Sequence, residues 1–370
     1  MIYFDNAATT QRKPDCVVQA VTEALCSLGN PGRSVHGGAM NASRIVFDAR
    51  LALAELFGAE GPDRIAFTAN STEALNTALK GILNPGDHVI TTALEHNSVL
   101  RPLYELEDRG MELTILPADP LGNIRYEDFA KAIRSNTKAI VTTHGSNLTG
   151  NLLDIGRIGA NAKEHCLLYI VDASQTAGVF PIDVQKMHID ILCFTGHKGL
   201  LGPQGTGILL CREGGEPLLY GGTGSVSKVQ QMPEELPDRL EAGTLNVPGY
   251  AGLREGLRYL NQTGVKKIFI REHRLMQQCA AGLREIGMKV FSGPHQAATV
   301  SFLPGLDCEE AAEKFARQGI AVRAGLHCAP YAHESAGTLD TGTVRVSIGY
   351  DTFESQIAAF LRAASKLPRF

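Results

Sequence analysis

The sequence predicts an α/β fold, with a mainly parallel sheet in a large domain and a smaller α+β domain. Short β-rich runs alternate with helix-like stretches between about residues 64 and 211, a rhythm typical of parallel sheets covered by helices. The chain has 370 residues, more than the roughly 250 to 300 at which a single core stops growing. After Pro248 the pattern changes to longer helices. We therefore expect a large domain at residues 15–250 and a small domain made of residues 1–14 and 251–370.

Each apolar run that is bounded by turn residues in the first part is predicted as a strand. The seven expected strands are Arg64–Thr68, His88–Thr92, Glu112–Leu116, Ala139–Thr143, Leu167–Val171, Ile189–Phe194 and a returning run, Gly207–Cys211. The helices expected between them are Thr72–Leu83, Ser98–Arg109, Tyr126–Arg134 and Ile155–His165. Polar residues precede the first of these helices, and Gly or Pro follows several of the helices, as is usual at helix ends.

The second domain is predicted from a mixture of longer helices and short strands. Helical stretches end near Asn261 and Ile286, and further elements are expected at Thr299–Phe302, Cys308–Gln318, Val344–Ile348 and Phe353–Lys366. Between the two domains, Gly221–Gln231 and Pro233–Pro237 are predicted to form a long exposed excursion, because loops of this length are usually functional or mobile.

Composition narrows the function to small-molecule chemistry. The chain has 35 basic and 39 acidic residues, a net charge of −4, so no basic surface is expected for nucleic acid or an anionic membrane. No run reaches the roughly 18 apolar residues of a membrane helix, and the first residues carry no secretion pattern. The eight cysteines include no C-x-x-C pair. We expect free thiols and a cytoplasmic location.

Polar clusters follow five of the predicted strands. In an open α/β sheet, ligands bind beyond the carboxyl ends of the strands, so these clusters are expected to converge on one crevice. The clusters are Thr68–Glu73, Glu95–Asn97, His144–Asn147, Asp172–Gln175 and Thr195–Lys198.

Three of these clusters together indicate pyridoxal 5′-phosphate. Asn70 and Glu73 have capping-box spacing, and a helix start suits a phosphate, although a plain cap is the commoner use of such residues. Lys198 follows an apolar strand, where a lysine of lowered pKa can bind an aldehyde. Asp172 also ends an apolar strand and needs a cationic partner, such as a pyridinium nitrogen. The alternative is a surface lysine and an aspartate in a salt bridge.

Two other candidate sites are disfavoured. Gly202–Gly207 lacks the Gly-Lys-Ser/Thr ending of a phosphate-binding loop, and no strand is followed by G-x-G-x-x-G. His327, Cys328 and His333 could ligate a metal, but no fourth ligand lies at zinc spacing, so no metal is expected.

Cys328 is the candidate nucleophile. It lies in the loop Arg323–Pro330, where Arg and His neighbours favour the thiolate. Cys193 and Cys211 lie in apolar strands and are predicted to be inert core residues.

These motifs, taken together, closely resemble the cysteine desulfurases of the class V aminotransferase group, over nearly the whole chain. The loop R-x-G-x-H-C-A is similar to that of the group that also includes selenocysteine lyases, although Leu326 and the segment Ala329–His333 depart from its pattern. The segments that carry the resemblance are Tyr3–Thr10, Glu95–Asn97, Asp172–Gln175, Thr195–Lys198, Ala242–Thr244 and Arg323–Ala329.

The resemblance implies a pyridoxal-phosphate enzyme of fold type I that is a homodimer with active sites at the subunit interface. Lys198 would carry the cofactor, Asp172 would pair with the ring nitrogen and Gln175 with the ring hydroxyl. His96 would stack on the ring. The phosphate would be held by Ser71, Thr72, Thr195 and His197, with Thr244 reaching in from the partner subunit.

The resemblance also implies L-cysteine as the substrate and alanine as a product. Arg345 would bind the substrate carboxylate, a task that suits paired donors. Asn147 would lie beside the ring and the substrate, and His96 would manage protons. Cys328 would take the sulfur as a persulfide and pass it to an acceptor protein or a small thiol. The alternatives are a selenocysteine lyase or cysteine β-lyase, a class V aminotransferase, and a non-catalytic sulfur-transfer assembly protein.

Overall fold

A computed structural model describes residues 1–32, 35–293 and 295–370. Its helices are α1 (Asp15–Ser27), α2 (Gly37–Phe57), α3 (Ser71–Ile82), α4 (Asn97–Glu107), α5 (Glu127–Ala132), α6 (Ile155–Glu164), α7 (Val247–Thr263), α8 (Val265–Glu285), α9 (Cys308–Ala316), α10 (Pro330–Ala336) and α11 (Glu354–Ala364). Its strands are β1 (Ile2–Tyr3), β2 (Ile65–Thr68), β3 (His88–Thr92), β4 (Glu112–Leu116), β5 (Thr137–Thr143), β6 (Leu168–Asp172), β7 (Ile191–Thr195), β8 (Gly207–Cys211), β9 (Lys289–Phe291), β10 (Thr299–Leu303), β11 (Ile320–Ala321), β12 (Arg323–Gly325) and β13 (Thr343–Ser347).

The seven predicted strands form one sheet in the order β2-β8-β7-β6-β5-β3-β4. Strands β3 to β7 pair in parallel, whereas β8 runs antiparallel to both β7 and β2. The prediction of a mainly parallel, seven-stranded sheet with one returning strand is therefore confirmed. The chain winds outward from β3 to β4 and then in the opposite direction from β5 to β7. Such a reversal opens a crevice at the carboxyl ends of the strands.

The second unit is a four-stranded antiparallel sheet in the order β12-β13-β10-β9. Its core includes Phe302 and Phe360, and Phe4 from the N-terminal segment is buried in the same core. The N-terminal strand β1 pairs with β11, so the first residues are attached to this unit.

Helix α7 packs against α1 and α2. Its residues Tyr250, Leu253 and Leu257 are buried in the core of the large sheet, together with Phe194. The buried face of α7 stays in the core of the large sheet beyond residue 250. The predicted domain boundary near residue 250 stays a prediction.

Two long helices, α1 and α2, were not among the predicted elements. In α2 the apolar side chains lie on both faces: Val46 and Leu53 are buried, whereas Met40 and Phe47 are more than half exposed. This distribution hides the helical periodicity on which a sequence-based prediction depends. The ends of the other predicted elements coincide with the observed ends or differ from them by one or two residues.

All eight cysteines are free thiols, as expected. Within residues 1–32, 35–293 and 295–370, no helix combines the length and the apolar character that a bilayer crossing requires.

Candidate active site

The polar clusters at the carboxyl ends of the large sheet line one pocket of about 220 Å³. Two of the twelve predicted site residues, Cys328 and Thr244, do not line it. The ten predicted residues that do are Ser71, Thr72, His96, Asn147, Asp172, Gln175, Thr195, His197, Lys198 and Arg345.

Lys198 follows β7 and places a buried amine in the pocket. The residue as a whole is partly exposed, but burial of its amino group lowers the pKa of Lys198 to about 8, and the charge of Asp172 only partly opposes this shift. The backbone around it is fixed, since its carbonyl accepts a hydrogen bond from Thr10 at 3.0 Å. A substantial fraction of this amine is therefore neutral, and nucleophilic, just above neutral pH.

Asp172 is held in one orientation at the end of β6. It is 4% exposed, and its Oδ1 accepts hydrogen bonds from the backbone N–H of Ser174 at 2.9 Å and from the Ser174 hydroxyl at 2.5 Å. The same hydroxyl lies 2.6 Å from that of Ser71 at the start of α3. A buried carboxylate fixed in this way is suited to pair with a cation in the pocket.

The N-terminus of α3 opens onto the pocket. Asn70 caps the helix by accepting a hydrogen bond from the Glu73 backbone N–H at 3.0 Å. The capping-box prediction is correct except in one detail: the Glu73 carboxylate accepts from Ala69 at 2.7 Å, one residue before the cap. Glycine is required at Gly207, because a Cβ there would lie 2.4 Å from the Asn70 backbone. The free N–H groups of the first turn, beside Ser71 and Thr72, suit an anion.

His96 is held as a hydrogen-bond donor toward the pocket. Its Nδ1 accepts from the Ser98 backbone N–H at 3.0 Å, so in the neutral ring the proton is on Nε2. Burial lowers the pKa of His96, and the cations Lys198 and Arg323 lower it further, against the effect of Asp172. The preceding residue, Glu95, is fully buried, and burial raises its pKa to about 8.

The loop that carries Cys328 lies at the rim of the pocket and is tied to the large domain. His327 and Cys328 both have left-handed backbone angles, φ 49° and 58°, which are unusual for residues other than glycine. The Asn147 amide donates to the His327 carbonyl at 2.6 Å, and the Asn97 backbone N–H donates to the Cys328 carbonyl at 2.8 Å. The loop is therefore held next to His96, with the thiol exposed to solvent.

Cys193 and Cys211 show the contrast predicted for core cysteines. Both are buried in strands of the large sheet, at 0% and 2% exposure. Burial raises the pKa of Cys193 well above its ordinary value and that of Cys211 to about 12. These thiols stay protonated and unreactive, whereas Cys328 is accessible.

Arg345 lines the pocket from the small sheet, whereas Lys198 and Asp172 line it from the large sheet. Arg345 lies in β13 with only 1% of its side chain exposed, and it donates to Asp5 at 2.8 Å and to the Asn147 carbonyl at 3.1 Å. Its Nε, together with His327 Nδ1 and Asn147 Oδ1, is buried without a hydrogen-bond partner among the described residues. Unpaired buried polar atoms that line one pocket indicate a site built for a polar ligand.

Thr244 lies elsewhere in this chain. It is exposed and lines a separate cavity of about 730 Å³, together with Phe47 and Glu241. Its expected action from a partner subunit stays a prediction.

Ser174 and Arg323, which line the pocket, and Asp5, which is bonded to Arg345, received no individual role from the sequence. Ser174 lies within the D-A-S-Q motif, and a serine two residues after a buried aspartate is a usual source of such a hydrogen bond. Asp5 and Arg323 become neighbours of Arg345 only through strand pairing of distant segments, and a sequence pattern of local spacing cannot show this.

The two histidines near Cys328 have structural partners. His327 Nε2 lies 3.2 Å from both Thr343 oxygens, and His333 Nδ1 lies 2.8 Å from the Thr338 hydroxyl. In the described parts of the chain, no group of three or more His, Cys, Asp or Glu side chains is arranged to hold a metal ion.

Comparison with known proteins places this site in a family. The family model for class-V aminotransferases matches residues 2–360. A probable cysteine desulfurase of Methanothermobacter thermautotrophicus is 34% identical over 96% of this chain and 92% of its own length, and one of Pyrococcus abyssi is 34% identical over 99% and 94%. A cysteine desulfurase structure from Thermococcus onnurineus superposes with a TM-score of 0.91, at 34% identity and with coverage of 99% and 94%. The chain belongs to the class-V aminotransferase family, among relatives that are named cysteine desulfurases.

Proposed function

We propose that this protein is a pyridoxal-phosphate-dependent cysteine desulfurase, which converts L-cysteine to L-alanine and retains the sulfur as a persulfide on Cys328. The observation that carries the proposal is the convergence of three groups on one pocket. A buried amine of lowered pKa, Lys198, and a fixed carboxylate, Asp172, lie at one end, and a buried arginine, Arg345, lies at the other. An exposed cysteine lies on a tethered loop at the rim.

The pocket residues fit pyridoxal 5′-phosphate. Lys198 offers an amine to the aldehyde, Asp172 a carboxylate to the ring nitrogen, and the start of α3 a set of donors to the phosphate. Gln175, Thr195 and His197 line the same wall and complete the polar surroundings. When bound, the cofactor supplies an electron sink that makes the substrate Cα–H bond acidic.

The other residues bind the substrate and move protons. Arg345 binds the carboxylate of L-cysteine, because it is a buried cation with an unused donor at Nε. The Lys198 amine, when it is free and neutral, accepts the proton from the substrate Cα. His96 holds a proton on Nε2, since its Nδ1 is occupied by the Ser98 N–H, and donates it to the carbon fragment.

Cys328 performs the sulfur step. Its thiolate attacks the sulfur of L-cysteine, so that an S–S bond forms while the Cβ–S bond breaks and the carbon fragment, after protonation, leaves as alanine. The tether from Asn147 holds the loop beside the pocket, and the exposure of the thiol leaves the persulfide open to an acceptor protein or a small thiol.

The test is incubation of the cofactor-loaded protein with L-cysteine, with alanine and protein-bound persulfide measured together. We expect both products from the natural protein. Cys328→Ser should lose both, a fall of more than a hundredfold, and keep its cofactor. Cys166 offers a matched control, because it is also exposed and also left-handed, with φ 56° against 58° for Cys328. Unchanged products in Cys328→Ser, or an equal loss in Cys166→Ser, would refute the proposed role.

A homodimer completes this proposal. Thr244 lines a cavity together with Phe47 of α2, which is 53% exposed, and Met40 on the same helix is 54% exposed. A second copy of the chain would cover this surface and bring Thr244 toward the neighbouring active site. The free cysteines agree with a reducing compartment, and we place the enzyme in the cytoplasm. Sedimentation at micromolar concentration should give twice the chain mass.

A further inference from the structure

The substrate end of the pocket contains two arginines and one carboxylate. Arg323 and Arg345 are direct partners across the β12–β13 ladder, so their side chains leave the sheet on the same face. Both line the pocket. Arg345 is paired with Asp5, whereas Arg323 forms no ion pair with any carboxylate of the described residues.

The charge of Arg323 acts on several groups of the pocket. After burial, which is the main cause, Arg323 adds to the lowering of the pKa of Lys198, of His327 and of Arg345. Like charges on directly opposed residues repel one another. An additional anion between or beside the two guanidinium groups would therefore reduce this repulsion.

Asp5 is a fixed part of this end of the pocket. The backbone around it is hydrogen-bonded to Ser347, two residues after Arg345: the Ser347 N–H donates to the Phe4 carbonyl at 2.8 Å, and the Ala7 N–H donates to the Ser347 hydroxyl at 2.8 Å. These bonds keep Asp5 beside Arg345, so a substrate carboxylate that binds Arg345 shares the site with Asp5.

The charges at this end can be counted. The two arginines contribute two positive charges and Asp5 one negative charge. Of the other titratable groups near the pair, His96, His327 and Tyr3 are neutral at physiological pH, because burial lowers the pKa of both histidines and raises that of Tyr3. Lys198, whose pKa is about 8, is counted with Asp172 and the cofactor in the loaded protein. One further negative charge neutralises the site, and a second leaves a buried excess of anions, which is costly.

We propose that Asp5 is a specificity-determining residue: by neutralising one of the two arginine charges, it limits this end of the pocket to ligands with a single negative charge. The inference rests on the proposed function, in which Arg345 binds the substrate carboxylate. The ligand class is an amino acid whose side chain is uncharged, such as the thiol of cysteine.

The matched ligands for a test are L-aspartate and L-asparagine, which share size and shape and differ by one negative charge. Their dissociation constants are measured by titration calorimetry on the cofactor-loaded natural protein, on Asp5→Asn and on Asp5→Glu. We expect Asp5→Asn to shift the ratio of the two constants about tenfold in favour of L-aspartate, because one more anion is now accommodated. Asp5→Glu, which keeps the charge, should retain the natural ratio.

An unchanged ratio in folded Asp5→Asn would overturn the proposal and leave Asp5 a merely structural residue. Thermal unfolding shows whether that variant folds. If Asp5→Asn does not fold, Arg323→Gln provides a second test, because it removes a positive charge from the same site. The ratio of the two dissociation constants should then shift against L-aspartate, and an unchanged ratio would equally overturn the proposal. Arg345→Gln tests the proposed function separately from the role of Asp5. If this variant binds both amino acids as tightly as the natural protein, Arg345 does not bind the substrate carboxylate.

Discussion

The two ends of the active site are built in different ways. At the cofactor end, Asp172 ends one strand of the large sheet and Lys198 follows its parallel neighbour. The supports of Asp172 lie within two residues and at the start of α3, and one long-range bond, from Thr10, reaches the Lys198 carbonyl. At the substrate end, Arg345 bonds to Asp5 from 340 residues away, and Asn147 bonds to His327 from 180 residues away. The two groups of the first end are therefore brought together by the large sheet, whereas the second end exists only when the N-terminal segment, the large sheet and the small sheet have come together.

This difference teaches how the two ends should respond to substitution. A change at the cofactor end should alter how the cofactor is retained, because the sheet holds the remaining groups in place. A change at the substrate end should alter turnover or ligand choice with the cofactor still bound.

Removal of the buried amine should have the largest effect. Lys198→Ala should lower alanine formation about a thousandfold or more and release the cofactor on desalting, because covalent attachment and the proton acceptor are lost together. Lys198→Arg keeps a cation but offers no nucleophilic amine, so it should be equally inactive. Bound cofactor is measured by absorbance and alanine by chromatography. Full cofactor retention in both variants would contradict the assignment of Lys198.

Loading of the cofactor onto the stripped protein should depend on pH through the same amine. The pKa of Lys198 is lowered to about 8 by burial, so the neutral form, which reacts with an aldehyde, dominates above that pH and is lost below it. At pH 6 about one amine in a hundred is neutral, and loading should be about fiftyfold slower than at pH 8. The loading rate is followed by absorbance.

The control for this pH profile is Lys13, whose pKa burial also lowers to about 8 and which donates to the His197 carbonyl at 2.7 Å. Lys13→Arg stays protonated throughout this range, so an unchanged profile assigns the titration to Lys198. A profile that flattens in Lys13→Arg would assign it to Lys13 instead.

At the substrate end, Asn147→Ala removes the tether on the cysteine loop. The contact of Arg345 with residue 147 is made by the backbone carbonyl and is retained, so the losses are the 2.6 Å bond to His327 and the unpaired Asn147 Oδ1. We expect persulfide formation to slow about tenfold, the equivalent of one hydrogen bond, with full cofactor occupancy. Asn147→Leu has a similar size, lacks the donor and adds no charge beside Arg345, so it should behave alike. Loss of cofactor in either variant would break the proposed separation of the two ends.

The smallest effect is expected at the cap of α3. Asn70→Ala should cost about 1 kcal/mol of stability, because the side chain no longer accepts the Glu73 N–H. Asn70→Ser keeps a capping oxygen and should restore most of this loss. The midpoint of urea denaturation measures both. Equal midpoints for the natural protein and Asn70→Ala would show that the sheet, and not the cap, holds this end.

The sequence by itself determined the large sheet and most of the cofactor end. Apolar runs such as His88–Thr92 and Gly207–Cys211 coincide with the observed strands, because strand formation in a buried sheet follows local hydrophobicity. Lys198 and Asp172 could be placed in one site because the carboxyl ends of parallel strands lie at the same edge of a sheet. Residues that are far apart in the sequence are therefore close together there.

At the substrate end, the resemblance named Arg345 and Asn147, but their surroundings could be seen only in the folded chain. The pairing of Arg323 with Arg345 is a register between two short strands, and the placement of Asp5 depends on a bridge to Ser347. Register and long-range bridges are set by the packing of whole faces, which no local pattern of residue types specifies. For the same reason, the tether that holds Cys328 beside His96 could not be anticipated, although the motif around the cysteine identified the loop itself.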